Sequence, residues 1–174
     1  MTEPPRLDER DAPFFSVSPL KLCLLSVCTF GLYEVFWFYM HWVHVRYREP
    51  RIRPPWRALF GLVFCYPLFW RIRTASRETG IRISLLPEIA VVVYIPTVLV
   101  ASLSEPEYND LWTLSFLSFV PLVAVQSVVN RLHGRLGFDP KANSRFSGWN
   151  FLTVCIGGAL FLLALLGTYG VPVD

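Results

Sequence analysis

Charged side chains are scarce in this sequence, at 17% of its 174 residues, where soluble chains carry about 25%. Hydrophobic residues reach 53%, and an ordinary soluble domain could not hide that much apolar surface. Cysteine is nearly absent. Cys23, Cys28, Cys65 and Cys155 all sit in apolar runs without CxxC spacing, which excludes a zinc knuckle and leaves them as small buried apolar residues. No HExxH motif, nucleophile elbow, P-loop or glycine-rich nucleotide fingerprint occurs, so no catalytic residue, cofactor or metal is expected. The net charge of +3 is divided among short loops, which argues against a nucleic-acid partner. The opening residues, MTEPPRLDERDAPFFSVSP, lack a basic region leading into an apolar core. The reading is no cleavable signal peptide and a disordered acidic, proline-rich tail over residues 1–18.

What the chain does have is long, predominantly apolar runs. A bilayer's hydrocarbon core of about 30 Å needs about 20 apolar helical residues, and four runs qualify, at about 19–42, 85–103, 111–129 and 149–169. A fifth, 56–70, is shorter. The expected fold is an all-α integral membrane protein, four transmembrane helices plus one short interfacial or re-entrant helix, forming a single domain over 19–174.

Arginine placement sets the expected topology, because short basic loops stay cytoplasmic. Arg46, Arg48, Arg51, Arg53 and Arg57 precede the short run; Arg71, Arg73, Arg77 and Arg82 follow it. Arg131, Arg135, Lys141 and Arg145 lie between the last two spans. Keeping all three clusters inside forces 56–70 to enter and leave on one side and puts both termini outside a bacterial cytoplasmic (inner) membrane. Five crossings, with one arginine-rich loop stranded outside, is the alternative. Trp42, Trp56, Trp70 and Trp149 would line the inner interface and Trp112 the outer one. Pro96 and Pro121 fall near the middles of the second and third spans, where they bend helices. Gly157 and Gly158 give the last helix a smooth face for close approach.

Glu34 is the most informative residue, since an ionisable group inside a span is costly and needs a partner. On a helix it shares a face with His41, seven residues on. Gln126 and Asn130 share a face in the third span. The expected site is therefore an intramembrane polar cluster of Glu34, His41, Gln126 and Asn130. A metal or haem held by His41, His44, His133 and Glu34 is a sharper reading that the spacing supports poorly. A second expected surface, for lipid headgroups at the interface, comprises Arg46, Arg51, Arg53, Trp56, Arg57, Trp70, Arg71 and Arg73.

The stretch LLSVCTFGLYEVFWFYMHWVHVR, with Thr29, Gly31, Tyr33, Trp37 and Tyr39, resembles the small bacterial membrane family catalogued as domain of unknown function 4234. LSFLSFVPLVAVQSVVNRL, with Gln126 and Asn130, is similar to the same family. Together they cover about a quarter of the chain. The resemblance implies a multi-span membrane protein and carries no activity with it; Glu34 and His41 depart from the family pattern. The two stretches also align weakly with each other, pairing Leu25, Ser26, Phe30, His44 and Arg46 with Leu114, Ser115, Phe119, His133 and Arg135. A duplication would place two helices in the same orientation.

The function expected from the residues is a non-enzymatic scaffold, accessory subunit or lipid-interacting component. Its partners would be membrane lipids, anionic ones included, and a membrane protein or second copy. A small transporter or channel-like subunit using Glu34 is the runner-up. A membrane enzyme acting on lipid headgroups is third.

Overall fold

The computed structural model of the chain describes residues 11–81, 83, 87–103 and 116–169. Seven helices follow in order: α1 Pro19–Cys28, α2 Leu32–Arg48, α3 Pro54–Leu59, α4 Gly61–Glu78, α5 Pro87–Leu103, α6 Phe119–Leu136 and α7 Gly148–Tyr169.

Expected spans are corrected first where 19–42 breaks. Ser18 caps α1 by accepting from the Lys21 N–H at 3.1 Å, and Pro19 occupies its first turn. The helix stops at Thr29, and Phe30 and Gly31 then take left-handed φ values of 51° and 85°. Glycine tolerates that conformation and lets the chain reverse. The Phe30 ring packs against Phe116 at 5.7 Å, whereas Lys21 and His44 lie at the other end of the molecule, beside residues 137–145. Helices α1 and α2 thus form a hairpin, and what reads as one span is two shorter helices.

Four transmembrane helices are not what folds. Only one helix among the described residues, Gly148–Gly167 within α7, is long and apolar enough to cross a membrane, with mean hydropathy 2.1. Helices α2, α4 and α6 fall short because each alternates an apolar face with buried polar groups or terminal arginines. In α5, the stretch Ile89–Leu99 is apolar but short. The expected re-entrant run 56–70 is split, α3 ending at Leu59 and α4 running from Gly61 to Glu78, with Phe60 capping both. Residues 104–115, with Glu105, Glu107, Asp110 and Trp112, fall outside the described residues, as does Arg82.

The core gathers where α2, α4, α5 and α6 meet, around Trp37, Phe38, Phe69, Ile72, Tyr94, Leu122 and Val129. Phe38 stacks on Phe69 at 6.3 Å and meets Tyr94 at 5.7 Å. Helix α7 packs mainly on α1. Gly157 makes that possible: a Cβ there would lie 1.8 Å from the Cys28 carbonyl oxygen. Gly158 is looser, 3.8 Å from the Cys28 sulfur.

Residues 11–18 also depart from expectation. Phe14, Phe15 and Val17 are buried in the core as an extended strap, because their apolar side chains fill the space between α2 and α6 despite the acidic, proline-rich sequence before them. Of the four cysteines, Cys28 and Cys65 are buried, Cys23 is half-buried and Cys155 is exposed on α7.

Candidate functional site

Helices α2 and α6 run in the same direction, side chain facing side chain. Glu34 meets Ser118, Trp37 and His41 meet Gln126, and His44 shares a cavity with His133. The pairs Trp37–Gln126 and His44–His133 keep the offset of the two aligned stretches.

Gln126 is the hub, fully buried on α6. Its Oε1 accepts from the Trp37 indole N–H at 2.7 Å and faces His41 Nε2 at 3.3 Å. Its Nε2 donates to Asn130 Oδ1 at 2.8 Å and to the Phe15 carbonyl at 3.2 Å. Both acceptor positions and both amide protons are therefore used. Asn130 passes the chain on, its Nδ2 donating to the Val17 carbonyl at 2.9 Å. Since the Gln126 oxygen can only accept, His41 must carry its proton on Nε2. Its Nδ1 lone pair is then buried without a partner, among Phe14, Phe15 and Trp37.

Glu34 does not join this cluster. It sits in the first turn of α2, where a carboxylate suits the helix dipole. There it accepts from the Ser118 hydroxyl at 2.5 Å and bonds the Tyr94 side chain. The expected four-residue cluster is thus two: His41, Gln126 and Asn130 with Trp37, and Glu34 with Ser118 and Tyr94. Sequence reasoning missed Ser118 and Tyr94. For Ser118 a signal existed, because Glu34 to His41 spans seven residues and Ser118 to Gln126 eight, nearly matched steps on parallel helices.

Besides Gln126 and Asn130, further side chains hold the strap and the start of α1. Arg48 Nη2 donates to the Asp11 carbonyl at 2.7 Å, His44 Nδ1 meets the Ala12 carbonyl at 3.1 Å, and the Ser16 hydroxyl donates to the Pro140 carbonyl at 2.8 Å. Lys21 Nζ reaches the Asn143 and Arg145 carbonyls at 3.2 and 2.9 Å. Side chains thereby replace the backbone partners that an extended segment would find in a sheet. Asp11 consequently lies at the end where α7 begins, while the expected placement of both termini falls on residues outside the described ones.

Beside the strap lies a cavity of about 480 Å³ lined by Phe14, Ser16, His44, His133, Phe138 and Asn143, among others. Burial, with His44 and Arg48 nearby, pushes the His133 imidazole down to about 4; burial also lowers His44. Both rings are neutral at pH 7. No group of three or more His, Cys, Asp or Glu side chains among the described residues could hold a metal ion.

The basic residues collect at this end. Arg71 clamps Glu49 through two bonds, 3.0 and 2.9 Å, tying the arginines before α3 to those ending α4. Gly80 and Ile81, just past α4, border a second cavity with Arg131 and Arg135. Of the expected interface residues, Arg46, Arg51, Arg53, Trp56 and Trp70 are exposed, and Arg57, Arg71 and Arg73 are half-buried. Trp42, expected at the interface, is fully buried, with Arg57 over its ring at 4.3 Å and Arg71 at 5.6 Å. Arg73 lies 5.5 Å over Trp70.

No family model, no curated protein and no solved structure matches the chain. Of the motif residues read from the sequence, Trp37, Gln126 and Asn130 are joined in one hydrogen-bonded seam.

Proposed function

We propose that the protein is a membrane-associated, non-enzymatic scaffold whose helical body is locked by the α2–α6 seam and whose α7 lies in lipid. The observation that carries this reading is the state of α7. It offers 20 residues of mean hydropathy 2.1, of which only 6% are buried. The core helix of a soluble protein would be mostly covered, and a secretion signal would precede the fold. Leu160, Leu162, Leu163 and Leu166 are instead 52–64% exposed in a row, far more apolar surface than a soluble monomer leaves open. The basic residues gathered where α7 begins favour that end on the cytoplasmic side of the cytoplasmic membrane. The seam supports a structural role, because a glutamine with every hydrogen-bonding position filled has none left for a substrate.

Membrane flotation of the expressed full chain, with alkaline carbonate washing, tests this. The wild type is expected to stay with the membrane. Replacing Leu160 and Leu163 together by Arg costs about 2.5–3.5 kcal/mol per residue in lipid and is expected to release it. Wild-type protein in the soluble fraction, or as a soluble complex with α7 covered by another protein, overturns the lipid assignment.

A further inference from the structure

The seam leaves one rigidly held charge unaccounted for. Arg57, at the end of α3, places its guanidinium 4.3 Å from the Trp42 ring centroid and 5.2 Å from that of Phe64. Two aromatic rings thus hold it in place. Glu49 is committed to Arg71 through both carboxylate oxygens. Among the described residues no carboxylate lies within ion-pair distance of Arg57, and no acceptor hydrogen-bonds it. A guanidinium held against two rings with its donors unspent is suited to a phosphate.

What adjoins it is apolar and uncovered. Trp56 stacks on Phe60, their rings 6.3 Å apart and 12° from parallel. Trp56 on α3, Phe60 at the α3–α4 junction, and Val63, Tyr66 and Trp70 on α4 are 58%, 51%, 69%, 46% and 48% exposed, the last three at the spacing of one helical face. Tyr66 and Trp70 are in ring contact at 6.2 Å. Arg53 lies exposed before these residues and Arg73 beside the last of them. A charge able to bind phosphate, on the same α3–α4 segment as an exposed aromatic and aliphatic surface, matches one molecule with both parts.

We propose that Arg57 binds the phosphate of an anionic phospholipid whose acyl chains lie along the exposed surface from Trp56 to Trp70. This rests on the membrane reading above, and goes beyond it in naming the headgroup and its anchor. A zwitterionic lipid carries its own ammonium against the phosphate and gains less from an unpaired guanidinium. Arg71 contributes less than Arg57 while Glu49 neutralises it.

The test uses the full chain in mild detergent, titrated with short-chain phosphatidylglycerol or phosphatidylcholine and read by native mass spectrometry. Phosphatidylglycerol is expected to bind about five-fold more tightly, the equivalent of one basic side chain at an anionic surface. Arg57→Gln should erase the preference, and Glu49→Gln, which frees Arg71 at an exposed position, should increase it. Equal binding of the two lipids, a preference that survives Arg57→Gln, or no gain from Glu49→Gln overturns the proposal. Displacement by millimolar inorganic phosphate also overturns it, by assigning the guanidinium to a free anion. Arg57→Gln should still float with membranes, so a failure here differs from a failure of the membrane reading, where the wild type itself would not float.

Discussion

Helices α6 and α7 are similar in length and opposite in what they do with their side chains. On α6 the polar groups Gln126, Asn130 and His133 are turned inward and the first two are hydrogen-bonded within the fold. On α7 leucines and phenylalanines are turned outward, with Gly157 as the buried point of contact. The contrast teaches that apolar content alone does not mark a membrane segment. What separates the two is whether the helix has already met its partners inside the protein. Helix α6 has, so its variants should change folding; α7 has not, so its variants should change location.

The largest expected effect falls on the hub. Gln126→Leu would strand the Trp37 N–H, the Phe15 carbonyl and Asn130, costing on the order of 4 kcal/mol, read as a drop in the thermal midpoint. The matching change on α7, Leu160→Gln, should leave that midpoint in place and weaken only membrane retention. Equal thermal effects from the two would erase the distinction between the helices.

Next comes the pH dependence of α6. His133 is neutral when folded down to about pH 4, whereas the unfolded chain protonates near 6.5. Its contribution is complete above pH 6.5 and is lost as pH falls through 4, about 3 kcal/mol in all. His133→Phe should flatten the stability profile in that window, and an unchanged slope would remove His133 from the account.

A smaller effect is expected at the α1–α7 contact. Gly157→Ala drives a methyl into the Cys28 carbonyl and should cost about 1–3 kcal/mol. In a Cys155→Ser background it should speed maleimide labelling of the buried Cys28. Smallest is Glu34→Gln, whose carboxamide oxygen can still accept from Ser118 and Tyr94, with an expected change below about 1 kcal/mol. Loss of folded protein from that variant would move the structural weight from Gln126 to Glu34.

Part of this was legible in residue order. Helical periodicity exposed Gln126 and Asn130 as one face, and the arginines segregate in sequence as they gather in space. The hairpin was hidden because an apolar run looks continuous to any hydropathy window, while Phe30 and Gly31 break it through backbone angles. Separating Glu34 from Gln126 needed the register of two helices 84 to 89 residues apart. Phe14, Phe15 and Val17 were submerged in the charge and proline of their neighbours, although their own side chains are apolar enough for a core.

The strap has a consequence in time. Its partners on α6 and in the segment after it lie 111 to 124 residues further along the chain, whereas His44 and Arg48 lie only 32 and 37 residues away. A ribosome adding about 5–20 residues per second leaves the Phe15 and Val17 carbonyls without their side-chain donors for roughly ten seconds before Gln126 and Asn130 exist. The strap can therefore close against α2, through Phe36, His41, His44 and Arg48, well before it can close against α6, so its two faces settle at different times.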